Sequence, residues 1–292
     1  GRRDELGDRE RVLLLRALAF VGRNDDAPTL LRRLEKKPEA KSEPYRDWFA
    51  VLSAVLNLNR GDWMPARTVF LKYAGPEEQN SETRWCANFA LGKIAERQDD
   101  LPRAEAYYKT AFSLHPELTA YQLGRFYRAR GEYGQAAYYL EQELEFNPYK
   151  RLVTADLAEI YAAGDQLEAL RKLRDSLKAE NKLDLETGYY CDALSAYIQG
   201  NYDRLDNLLS LCVSFQSRRL YQLMKFAVAT RSDDFAALDA AGRMLLGTAP
   251  DQATRIQVAG MLWPLLEKLN RENRIAAAGK VAQMILPLLS PE

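Results

Sequence analysis

The segment from Trp85 to Pro148 carries one pattern twice, and a chain that repeats itself at so short an interval builds its core by stacking copies instead of closing a single globule. The first copy holds Leu91-Gly92, Ala95, the turn Asp99-Asp100-Leu101-Pro102-Arg103-Ala104, then Tyr108, Ala111-Phe112 and Pro116. The second holds Leu123-Gly124, Tyr127, the turn Gly131-Glu132-Tyr133-Gly134-Gln135-Ala136, then Leu140, Leu144 and Pro148. Gly92 and Gly124 are 32 residues apart, and so are Pro116 and Pro148. On either side of each polar turn the apolar residues recur at three- and four-residue spacing, the period of a helix face. Each copy is therefore expected to be a helical hairpin.

Two antiparallel helices on a short turn pack tightly where a contact position is small, which Gly92 with Ala104 and Gly124 with Ala136 are expected to supply. Tyr108, Phe112, Leu140 and Leu144 then lie on the face turned toward neighbouring hairpins, and Pro116 and Pro148 end the second helix. A small residue in the first helix, a Gly/Asp-aromatic turn, an alanine in the second helix and a closing proline resemble the tetratricopeptide (TPR) repeat. Asn88 departs from it, standing where that family often has tryptophan.

The turn hexad serves as a ruler for the rest of the chain. It falls at Asp25, Gly61, Asp99, Gly131, Gly164, Gly200, Asp233 and Glu272, in steps of 36, 38, 32, 33, 36, 33 and 39 residues. The mean, about 35, matches the repeat length of about 34 in that class. Nine residues past each start lie Leu34, Phe70, Tyr108, Leu140, Leu173, Leu209, Gly242 and Val281, apolar except for one glycine. The expected fold is an all-α, right-handed superhelical solenoid of about eight hairpins and about sixteen helices, running as a single array over 1–292. Its best-matched repeats cover 85–150, and its terminal repeats, 1–43 and 250–292, diverge as caps. In the seventh repeat Phe226 or Ala227 stands where a small residue is wanted, and Trp263-Pro264 is expected to interrupt the last first-helix. The helix containing Trp48, Phe49, Val51, Leu52, Val55, Leu56 and Leu58 has little polar face, and core burial is favoured over an apolar surface.

The 41 Lys+Arg balance 41 Asp+Glu, which argues against a dedicated nucleic-acid or anionic-membrane binder. No apolar run approaches the roughly 20 residues that span a bilayer. The opening Gly1-Arg2-Arg3 lacks a methionine and reads as a truncated natural N-terminus, so that cytoplasmic and periplasmic settings both stay open. Cys86, Cys191 and Cys212 have no metal-ligand spacing and read as buried thiols, with a Cys191–Cys212 disulfide as the alternative.

Chemistry is sparse. The single histidine, His115, precedes Pro116 at a helix end, a poor place for a catalytic base. There is no phosphate-binding loop, dinucleotide fingerprint or zinc helix. The acidic pairs Asp25-Asp26, Asp99-Asp100 and Asp233-Asp234 recur at the turns and read as helix caps. No catalytic residue, metal site or cofactor is therefore expected. The resemblance implies that first helices line an inner face. With Leu123, Gly124 and Tyr127 committed to packing, Tyr121, Arg125 and Arg128 are left to face inward, beside Phe89, Lys93, Glu96 and Arg97 of one neighbouring repeat and Glu159 of the other. The expected site is Lys93, Arg97, Tyr121, Arg125, Arg128 and Glu159, holding an acidic or carboxylate-bearing peptide. Ordinary solvated helix residues are the plainer reading.

The function expected from the resemblance is a non-enzymatic scaffold that binds a partner protein. Three rivals stand beside it: the soluble part of a larger membrane-anchored or envelope assembly, a helical-toroid enzyme, and an RNA-binding array using Arg171-Lys172, Arg174 and Arg218-Arg219. The lysine-asparagine clamp that some members of the family use on chaperone tails is absent from the well-matched repeats.

Overall fold

A computed structural model describes residues 45–147, 150–232, 234–247 and 252–289. The expected first repeat, with its turn at Asp25, lies outside the described residues, as do Pro148 and Asp233. The described residues form fourteen α-helices and one 3₁₀ turn, with no strand among them. None of these helices is long and apolar enough to cross a membrane.

The chain packs as two compact units that divide after Phe146. In the first, α1 (Tyr45–Asn59) pairs with α2 (Trp63–Tyr73), α3 (Ser81–Arg97) with α4 (Leu101–Leu114), and α5 (Pro116–Ala129) with α6 (Tyr133–Phe146). In the second, α7 (Arg151–Ala163) precedes α8 (Leu167–Ala179) and α9 (Leu185–Ile198) precedes α10 (Tyr202–Ser210). The 3₁₀ turn Val213–Phe215 follows, and the pairs α11 (Arg219–Ala229) with α12 (Phe235–Leu246) and α13 (Gln252–Arg271) with α14 (Ile275–Leu289) complete it.

Six of the hairpin turns share one closure. Asp62, Asp100, Glu132, Gln166, Asn201 and Arg274 each donate a backbone N–H to the carbonyl five residues back, at 2.8–3.0 Å. In every case the residue just before the donor is left-handed: Gly61, Asp99, Gly131, Asp165, Gly200 and Asn273. This is the Schellman ending, in which one positive-φ residue lets the last free carbonyls of a helix find partners. In the fifth and eighth repeats the left-handed residue stands one place after the expected start, at Asp165 and Asn273, because Asp and Asn tolerate that conformation better than other side chains.

Inside the hairpins the closest approach is to the residue one turn beyond the expected partner, with Gly124 also in contact with Ala136. Ala104 and Ala136 are fully buried, but a Cβ on Gly92 would stand 2.5 Å from the Tyr108 ring, and one on Gly124 would stand 2.6 Å from Leu140. The glycines make room for the large residue one turn beyond the alanine. In the seventh repeat the sizes are exchanged: Phe226, fully buried, occupies the ruler position of Gly92, and Gly242 occupies that of Tyr108. A Cβ on Gly242 would lie 3.4 Å from Phe226 and 3.0 Å from the tip of Met284.

Pro116 follows the C-cap of α4, which ends at Leu114 as expected, whereas Pro264 departs from expectation. Pro116 is the first residue of α5, a position whose N–H would be unbonded in any case. Pro264 lies inside α13, which runs unbroken for 20 residues. An interior proline costs about 3 kcal/mol; here Val258, Leu262, Leu265 and Leu269 are buried in one cluster with Ala278, Val281 and Ile285 of α14. At about 1.5–3 kcal/mol for each large apolar side chain, that burial outweighs the proline. In α1, Trp48, Phe49, Val51, Leu52, Val55, Leu56 and Leu58 are all buried.

Candidate functional site

The candidate face of the first unit is built on α3 and α5. Trp85 Nε1 donates to Thr119 Oγ1 at 2.9 Å in the buried seam between the two helices, and Thr119 donates in turn to the His115 carbonyl. Asn88, the departure from the repeat pattern, is 2% exposed and donates its amide to the carbonyls of Arg84 and of Ala74, the C-cap of α2. One side chain thereby satisfies a helix end and fixes α3 against it.

Tyr108 is fully buried beneath this face, in edge contact with Phe89 and Phe126, and its hydroxyl donates to Glu96 Oε2 at 2.7 Å. Gln122 of α5 donates to the same Glu96 oxygen and to the Tyr108 hydroxyl. Burial and the neighbouring Glu96 carboxylate hold the Tyr108 hydroxyl well above the ordinary phenol range, so it stays a proton donor. Glu96 is thus held from two helices.

Around Glu96 stand the cations. Lys93 lies over the Phe89 ring at 5.7 Å, and Arg125 over Tyr121 at 6.0 Å. Burial and the positive charges of Arg97 and Arg125 push the Lys93 pKa below its ordinary value, with Glu96 pulling the other way. Arg97 and Arg125 are exposed; Tyr121 and Arg128 are half-buried. The structure therefore brings Lys93, Arg97 and Arg125 within electrostatic reach of one another, with Tyr121 beside Arg125.

Glu159 lies in the second unit, on α7. It is 5% exposed and accepts from Tyr190 of α9 at 2.6 Å and from Arg218 at 2.7 Å. Arg218, which the sequence reading placed in a basic pair with Arg219, also makes two bonds to Asp156. That buried network joins residues about sixty apart and leaves no local signature in the sequence.

The remaining reactive groups are occupied or enclosed. His115 caps α4, and its Nδ1 lies 3.2 Å from Glu117. Cys86, Cys191 and Cys212 are buried; burial pushes Cys191 and Cys212 up to about 12. Among the described residues no group of His, Cys, Asp or Glu could hold a metal ion.

No protein-family model matches the sequence, and no curated protein matches it. Solved structures do match in fold. The chain is similar to a Rap protein crystallised with competence and sporulation factor, at 11% identity over 96% of this chain and 97% of that one, with a TM-score of 0.52. It is similar to a chain of the Cut9-Hcn1 hetero-tetramer of APC/C, at 14% identity and a TM-score of 0.53, over 98% of this chain and 50% of that one. A tetratricopeptide repeat protein from Parabacteroides merdae matches over 80% of this chain and 97% of its own length, at 17% identity and a TM-score of 0.51. The fold is that of TPR-like repeat proteins, an all-helical repeat array.

Proposed function

We propose that this protein is a binding scaffold without catalytic activity of its own, and that the α3–α5 face holds an acidic or carboxylate-bearing segment of a partner protein. One observation carries the reading: Lys93, Arg97 and Arg125 make no salt bridge among the described residues, while the nearby carboxylate, Glu96, is engaged by Tyr108 and Gln122. Three cations crowded around one committed anion gain from a further carboxylate. The aromatic rings of Phe89 and Tyr121 beneath Lys93 and Arg125 offer apolar contact beside the charge. The Rap protein of similar fold was crystallised with competence and sporulation factor, which supports capture of a peptide or protein ligand.

Binding of a fluorescent Glu/Asp-rich decapeptide to the wild type and to an Arg97→Ala/Arg125→Ala variant tests this. Each exposed charge pair is worth up to about 1 kcal/mol, so the double variant should bind more weakly by up to roughly thirtyfold, and raised salt should weaken the wild type too. Equal affinity of the two proteins would remove the proposal.

A further inference from the structure

In the second unit α10 has nine residues, the fewest of any described helix, and the chain then takes an irregular path over 211–218 before α11 begins. That path runs back across α7 and α9. Phe215, 1% exposed, stacks on the Tyr190 ring at 4.3 Å, nearly parallel, and the Arg151 guanidinium lies 4.6 Å from the centre of the Phe215 ring. Three residues later Arg218 donates to Asp156 at 2.7 and 2.9 Å and to Glu159 at 2.7 Å. Between and beside these two anchors, Leu211, Val213, Ser214, Gln216 and Ser217 are exposed.

The chemistry of the anchors is more exacting than a connection needs. Asp156 and Glu159 stand three apart on α7, with side chains only 7% and 6% exposed. Burying two carboxylates is costly, and apolar side chains of similar volume hold a segment in place at least as well. What two buried carboxylates add is selection: they accept a forked guanidinium and reject an apolar group or an anion. Tyr190 and Arg151 select in the same manner for a flat ring three residues earlier.

We propose that the α7–α9 face is a docking site for a partner segment of the form aromatic-x-x-arginine, and that Phe215 and Arg218 of the chain's own connection fill it as a displaceable stand-in. A competing segment re-forms the stacking and the guanidinium–carboxylate bonds that the connection gives up. Release also opens a single 3₁₀ turn, whose internal hydrogen bonds are poor, and breaks the exposed bonds of Ser214 to Glu186. This site is opposite in charge to the α3–α5 face and does not depend on it.

The test uses a fluorescent peptide spanning 212–219 with Cys212→Ser, titrated against the wild type and against a Phe215→Ala/Arg218→Ala variant. In the wild type the tethered copy competes at an effective concentration in the millimolar range. The variant should therefore bind the peptide at least about tenfold more tightly than the wild type. A control peptide with alanine at both anchors should bind neither. Equal binding of the two peptides to the variant would overturn the proposal. So would a variant that no longer unfolds cooperatively, because the connection would then be part of the core. Hydrogen exchange on the wild type gives an independent reading. The Ser214 amide, which donates to Glu186, should exchange faster than amides within α7, and equal rates would also overturn the proposal.

Discussion

The Tyr108 ring lies so close over Gly92 that a Cβ on the glycine would stand 2.5 Å from it, deeper than any side chain contact tolerates. Tyr108 cannot retreat, since it is fully buried, wedged between Phe89 and Phe126, and bonded to Glu96. Gly92→Ala should therefore destabilise the protein despite the better helix propensity of alanine. Overpacking costs about 1–3 kcal/mol and the propensity gain returns about 1, so a net loss of up to about 2 kcal/mol is expected in urea denaturation.

No such loss is expected at two other glycines. A Cβ on Gly134 meets nothing within 4 Å, so Gly134→Ala should stabilise by about 0.4–1 kcal/mol through the unfolded chain. At Gly242 the nearest atom is the end of the flexible Met284 side chain, at 3.0 Å, and Gly242→Ala should be close to neutral. The same denaturation series ranks all three.

Asn88→Ala should cost about 1–3 kcal/mol, because it leaves the Ala74 carbonyl at a half-buried helix end without its donor. Asn88→Leu should cost at least as much. If either matched the wild type in stability, the amide would not be holding that end.

Lys93→Met is expected to separate stability from binding. The ammonium is desolvated and repelled by Arg97 and Arg125, so its removal should raise the melting temperature at neutral pH, by a free energy in the range of about 0.5–2 kcal/mol typical of relieved charge clusters. Acidic-peptide affinity should fall at the same time.

Alkaline pH should weaken the fold. Cys191 and Cys212 are held protonated up to about 12, against an ordinary 9.0 in the open chain. A group whose folded pKa is raised gives its full stabilisation below the unfolded value and loses it as pH rises toward the folded one. The melting temperature should therefore fall between about pH 9 and 12, and less so in a Cys191→Ala/Cys212→Ala variant. Thiol reagents at pH 8 should leave the native protein largely unreacted.

Much of the architecture was readable because its signals are local. A left-handed residue and a helix ending are contained within six residues, so Gly61, Asp99, Gly131 and Gly200 mark turns without reference to anything distant. The ruler slipped by one residue at Asp165 and Asn273, where side chains that merely tolerate positive φ did the work of glycine. Pro264 was misread for the opposite reason: a local rule forbids what burial against α14 permits. The basic residues Lys93, Arg97 and Arg125 could be found from helical spacing. The engagement of Glu159 by Arg218 could not, since 59 residues separate them and only the path of an irregular connection brings them together.

The exchange of sizes at Phe226 and Gly242 bears on how such an array avoids assembling out of order. A first helix presenting Phe226 to a second helix presenting Tyr108 would drive ring into ring. Gly92 set against Gly242 would instead leave a void worth several kcal/mol of lost contacts. Mispairing of similar units is a characteristic failure of repeat chains. Here it is penalised at one pair of positions, so that each helix accepts its own neighbour along the chain and refuses a look-alike from elsewhere.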